Sequence, residues 1–242
     1  MADPRFIHLR VHTEYSLLEG AVRLKKLPGM AADMGMPAVA VTDTNNMFCA
    51  LEFSEAAVKA GVQPIIGCQV DLAYDPAQPG EKPREPAPLV LLAQTEAGYE
   101  ALMRLNSCLY VDKGGQLPQV TLDELAANAG DVICLTGGPD GPVGRFLQAG
   151  QRAKAQALMA RLAEIFGDRL YVELQRHPGD GAPEAERLTE QGFVEMAYAM
   201  ELPLVATNDV YFPKSDMYEA HDALICIAEG AYVDQQEPRR RL

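Results

Sequence analysis

The sequence predicts an α/β fold built on seven parallel strands, and three features predict it. Apolar runs of strand length alternate with amphipathic segments of helix length almost throughout. Several runs are nearly continuous in Val, Ile and Leu, the composition of strands covered on both faces. No Gly-x-Gly-x-x-Gly follows the first run, so a dinucleotide-binding sheet has no support. An open doubly wound sheet and a closed barrel both fit this pattern. In a barrel, functional residues gather where the strands end.

Taken in order, the strand candidates are Phe6 to Val11, Ala38 to Thr42, Pro64 to Leu72, Leu89 to Ala93, Val132 to Leu135, Leu170 to Leu174 and Leu204 to Ala206. Helical patterns cover roughly residues 22–34, 48–60, 96–110, 143–165, 184–200 and 214–228. Gly61 and Gly167 stand just past two of them, where a left-handed residue ends a helix. The stretch from Asp75 to Pro88, rich in proline and charge, reads as an exposed loop. The polar tail from Asp234 reads as the start of a linker, which gives a domain over residues 1–233 and a linker over 234–242.

Charge narrows the function. The 242 residues carry a net charge of −13. Nucleic-acid backbones are gripped by Lys and Arg, so a domain this acidic is a poor candidate for holding DNA over a broad face. The one basic run, Arg239-Arg240-Arg241, reads as solvated linker. Five scattered cysteines without a Cys-x-x-Cys spacing fit neither a disulfide framework nor a zinc ribbon, so they read as reduced thiols. Nothing resembles a secretory leader or a membrane-spanning run, which makes a cytoplasmic protein the expectation.

The polar residues that could carry chemistry fall at strand ends. His8, Arg10 and His12 alternate onto one side of the first strand, and Glu19 follows closely. The second strand runs into Asp43-Thr44-Asn45-Asn46, which also suits a turn before a helix. Gln69 lies in the third, His177 follows the sixth, and Asp209 and Tyr211 follow the last. His221, inside a helical pattern, reads as a hydrogen-bonded structural residue. A working multinuclear metal site needs several deprotonated ligands. His12, Glu19, Asp43, His177 and Asp209 are sparse for that.

Four separated stretches carry a specific resemblance. They are the run from Arg5 to Gly20, Met36-Pro37-Ala38-Val39-Ala40-Val41-Thr42-Asp43, Gln63-Pro64-Ile65-Ile66-Gly67 and Leu204-Val205-Ala206-Thr207-Asn208-Asp209-Val210. In this order they resemble the N-terminal PHP (polymerase and histidinol phosphatase) domain of bacterial replicative DNA polymerase III alpha subunits. The resemblance implies a distorted seven-stranded β/α barrel. It also implies, in members that keep the site, His and acidic residues binding up to three metal ions.

This sequence departs from that pattern. Arg10, Thr44, Gln69, Pro88 and Tyr211 stand where the family has ligand residues, leaving His12, Glu19, His177 and Asp209 as the remnant, with Asp43 also matching its motif. A guanidinium stays protonated and has no lone pair to donate, so Arg10 is the decisive replacement. It can supply the charge a lost cation once did. The resemblance therefore implies a non-catalytic structural and interaction domain that braces the polymerase and binds the proofreading exonuclease subunit. The sliding clamp and DNA would be reached only through the full-length protein. No cofactor is expected in this stretch; a residual site would take zinc, manganese or magnesium, and the parent polymerase would use magnesium. The rival expectation is an active metal-dependent phosphoesterase, exonuclease or pyrophosphatase.

Overall fold

The computed structural model describes residues 6–75, 84–111, 117–177 and 183–235. The Arg239–Arg241 run and most of the Asp75–Pro88 loop lie outside the described residues. In chain order the elements are α1 (Leu27–Asp33), β1 (Ala38–Val41), α2 (Ala50–Lys59), β2 (Gln63–Ala73), β3 (Ala87–Ala93), α3 (Glu96–Cys108), β4 (Val120–Thr121) and α4 (Leu122–Ala127). They continue with β5 (Val132–Leu135), α5 (Pro142–Gln148), α6 (Arg152–Phe166), β6 (Leu170–Leu174), α7 (Glu184–Ala199), β7 (Leu204–Ala206) and α8 (Tyr218–Glu229). The strands are ordered β1-β2-β3-β5-β6-β7, with β4 paired to β2.

The chain divides into two compact units, one of residues 1–66 and 209–242, the other of residues 67–208. In the first, β1 pairs in parallel with the start of β2, from Ala38 opposite Gln63 to Val41 opposite Ile66. Val11, Leu24, Leu27, Val39, Val41, Phe53 and Val62 share its core. Helix α2 contributes Ala50, Phe53 and Ala57 because apolar residues three and four apart share one helix face. Gly61 follows it at φ +72°, a conformation that glycine adopts without steric cost.

The first strand candidate, Phe6 to Val11, is not a regular strand among the described residues. Its backbone is nonetheless bonded on both sides. Ala40 and Thr42 donate to the carbonyls of His8 and Val11, and His12 N donates to Val210 O at 2.8 Å. Single bridges join Val11 to Val210 and Thr13 to Val22. The candidate helix 22–34 shortens to α1 because Pro28 sits in its first turn, the place where a missing N–H costs least.

In the second unit, β3 runs antiparallel to both β2 and β5, which corrects the expectation of uniformly parallel strands. Strand direction is set by connections rather than by the apolar pattern, which is the same either way. Strands β5, β6 and β7 are parallel, as expected. The helical stretch 143–165 is two helices broken near Gly150, which lies at φ +67°. The pair β4–α4 had no sequence expectation; a reciprocal capping box between Thr121 and Glu124 starts α4.

Candidate functional site

In the first unit the chain from Arg10 to Gly20, the end of β1 and the segment around Asp209 meet in a buried polar cluster. Arg10 and His12, two residues apart, point the same way, as extended backbone requires, and both reach Asp209. Arg10 Nη2 lies 2.9 Å from Asp209 Oδ2, and His12 Nε2 lies 3.1 Å from Asp209 Oδ1. Arg10 is 1% exposed and His12 fully buried. Tyr211 stacks flat on the His12 imidazole, with ring centres 4.3 Å apart, and its hydroxyl donates to Asp209 Oδ2 at 3.3 Å.

Burial alone would push the Asp209 carboxyl up. The Arg10 guanidinium, then His12 and the Tyr211 hydroxyl, outweigh burial and hold it below the usual carboxylate range. Arg10 thus meets the anion from inside the protein, where an ion pair is screened far less than at the surface.

A second layer fixes the turn that follows His12. Asp43 accepts from Thr13 N at 2.7 Å, Thr13 Oγ1 at 2.8 Å, Ser16 Oγ at 2.6 Å and Cys49 Sγ at 3.1 Å. Thr44 Oγ1 donates to Glu19 Oε2 at 2.7 Å. His12 Nδ1 lies 3.2 Å from Ser16 Oγ and 3.3 Å from Thr44 Oγ1. Gly20 closes the turn; a Cβ there would stand 1.9 Å from Thr13 O, so only glycine fits. His221 Nε2 lies 2.6 Å from the carbonyl of Glu19, the structural contact expected of it.

The second unit holds His177 and Gln69. His177 Nδ1 lies 2.5 Å from Glu186 Oε1, and its backbone N donates to Glu186 Oε2 at 2.9 Å. Glu186 is buried in the first turn of α7, while the imidazole is about half exposed. Gln69 is buried in β2 opposite Val90 of β3. Nearby strand ends place Glu173, fully buried, beneath the Thr207 hydroxyl at 2.5 Å and the Gln175 amide at 3.3 Å.

Sequence reading assigned no role to Ser16, Glu173, Glu186 or Thr207. For Glu186 the signal was available: an acidic residue in a helix's first turn, nine positions past a strand-end histidine. For Glu173 the apolar run around it masks one carboxylate.

These residues do not fit a multinuclear metal centre. The carboxylate best placed to ligate, Asp209, already meets a guanidinium, and Asp43 accepts at least four donors. Glu19 is engaged by Thr44. Among the described residues no group of three or more His, Cys, Asp or Glu side chains could hold an ion.

A known family matches most of the chain: residues 8–177 match the PHP domain, and the chain belongs to it. Curated relatives narrow the comparison to one kind of protein. The chain is 47% identical over 237 residues to the DNA polymerase III subunit alpha of Caulobacter vibrioides, covering 97% of the chain and 20% of that relative. It is 38% identical to the subunit of the same name in Pseudomonas aeruginosa, covering 97% of the chain and 19% of the relative. The chain thus spans about a fifth of the length of these relatives.

Among solved structures, one described as a metal-dependent phosphoesterase from Bifidobacterium adolescentis aligns over 93% of the chain and 97% of its own, with a TM-score of 0.51 at 15% identity. An amidohydrolase from Chromobacterium violaceum, with bound sulfate and no metal, aligns over 90% and 96%, also at 0.51 and 14% identity. At such identities the likeness is one of fold.

Proposed function

We propose that the chain is the N-terminal PHP domain, to about residue 233, of a bacterial DNA polymerase III alpha subunit. In DNA replication it acts as a structural and interaction domain rather than as a hydrolase. The observation that carries this reading is the buried pair between Arg10 and Asp209. A fixed guanidinium occupies the carboxylate that a catalytic ion would need, and it cannot be deprotonated to make room.

The other replacements act in the same sense. Thr44 bonds Glu19, and Tyr211 covers His12 and bonds Asp209, so each surviving group of this cluster is engaged by a residue at a former ligand position. His12, Glu19, His177 and Asp209 then persist for folding. The magnesium-dependent nucleotidyl transfer of the parent protein belongs to its other domains, which this domain braces, and its separate partner is the proofreading exonuclease subunit. No described helix is long and apolar enough to cross a membrane, in keeping with work in the cytoplasm.

A hydrolysis assay tests the reading. The purified chain, supplied with zinc, manganese or magnesium, is expected to release nothing from phosphomonoester, DNA or pyrophosphate substrates above buffer. Metal-dependent turnover abolished by both His12→Ala and Asp209→Ala would overturn it in favour of a phosphoesterase.

A further inference from the structure

Two segments of the first unit turn large apolar side chains to solvent. Leu17 and Leu18 are 72% and 48% exposed, and Phe48 and Leu51 are 68% and 74% exposed. They are not scattered. Asn46 Nδ2 donates to Tyr15 O at 2.9 Å, Thr44 N donates to Ser16 Oγ at 3.1 Å, and Tyr15 OH donates to Glu52 Oε2 at 3.1 Å. These bonds, with the Thr44–Glu19 contact, tie the turn of residues 15–19 to residues 44–52 on both sides of the apolar pairs. Leu18 stands at φ +65°, a left-handed conformation that is costly for a side chain of this size. About half of the Leu18 side chain stays exposed, so the strained residue brings the isolated domain only partial packing in return.

We propose that Leu17, Leu18, Phe48 and Leu51 form a permanent docking face, covered by a later segment of the same, longer polypeptide. The proposal rests on the reading of the chain as one domain of an alpha subunit. Its relatives are about five times as long, so most of such a polypeptide lies outside the matched region and is tethered to it. Tethering keeps the rest of the chain at high effective concentration beside this face.

The chemistry agrees with a permanent contact. The four side chains include no charge, and permanent interfaces resemble a cut core, whereas transient ones keep the polarity of the general surface. Contiguous apolar patches on soluble domains mark interaction sites. Asp43, with its bonds to Thr13 and Ser16, fixes the turn before anything docks, which lowers the ordering cost of the contact. On this account the old site's hydrogen-bond network now serves as the rigid backing of an interface.

Hydrogen–deuterium exchange on the 242-residue chain and on the full-length alpha subunit carrying it provides the test. Amides of residues 15–19 and 47–52 are expected to exchange about tenfold more slowly, or slower still, in the full-length chain. The double variant Leu17→Glu/Leu51→Glu is expected to restore fast exchange there and to split off a separate, earlier unfolding transition. The same double change is expected to leave the unfolding midpoint of the 242-residue chain nearly unmoved, and Leu188→Glu, at an exposed site in the other unit, to do neither.

Equal exchange in the two chains overturns the proposal. So does slowing that needs an added replication subunit, which would make the occupant a separate protein. Unfolding of the 242-residue chain by the double variant overturns it too, since the residues would then serve the domain's own core. Hydrolase activity of the chain would defeat the non-catalytic reading without touching these exchange rates, so the two failures are distinguishable.

Discussion

In the first unit, Asp209 has the Arg10 guanidinium on one oxygen and the His12 imidazole on the other, and Tyr211 stacks on that imidazole. In the second, Glu173 meets a hydroxyl and an amide, and Glu186 steadies a histidine that is half open to solvent. Both regions hold buried carboxylates at strand ends. The first answers its carboxylate with a permanent charge, the second with neutral donors and an imidazole. A permanent charge closes a site, because the buried anion and cation become mutually indispensable. An imidazole clamped through Nδ1 keeps its other nitrogen oriented, the arrangement by which proteins aim a ligand histidine. On the proposed reading, the region holding Arg10 is therefore less suited to an ion than the region holding His177.

The largest effect is expected at Arg10. Arg10→Ala removes the one permanent cation beside a largely buried carboxylate and should cost about 3–5 kcal/mol, read as a lower midpoint in urea unfolding. Asp209→Ala should cost a similar amount, and the double variant less than the sum of the two, since the pair fails as a unit.

Acid should weaken the same pair. Asp209 is held below its ordinary value near 3.8, so the stability it contributes is complete above that value and is lost as pH falls through its lower folded-state value. A pH series of unfolding free energies should show this decline, and Asp209→Asn should flatten it.

In the second unit, Glu186→Ala removes the acceptor of two donors on His177 and should cost about 1–3 kcal/mol. The smallest change is Tyr211→Phe, which keeps the stack on His12 and removes one long hydrogen bond. It should cost about 0.5–1 kcal/mol. A loss at Glu186→Ala larger than at Arg10→Ala would reverse the ranking of the two regions.

Much of this was legible in the chain. Val132 to Leu135, Leu170 to Leu174 and Leu204 to Ala206 emerge with the bounds expected, because short Val and Leu runs flanked by turn residues leave little freedom. The direction of β3 was not legible, since the period of an apolar strand is the same either way. The run from Phe6 to Val11 carries strand composition yet forms isolated bridges, because its partners are β1 on one side and a short segment at Val210 on the other.

At the site, the alternation of Arg10 and His12 placed both side chains on one face, as the structure has them. That Arg10 would choose Asp209, and Thr44 would choose Glu19, depends on approaches across nearly two hundred residues and on one turn closed at Gly20. No local pattern encodes such pairings. Asp43 matches its motif in the sequence; in the structure its four donors make it the anchor of the turn.

On the proposed reading, the Arg10 side chain does the electrostatic work of an ion. Calorimetric titration of zinc and manganese into the chain, with elemental analysis of the purified protein, tests it directly. No stoichiometric metal and no saturable heat at micromolar concentrations are expected. One or more ions bound tightly and stoichiometrically, and lost in Asp209→Ala, would contradict it.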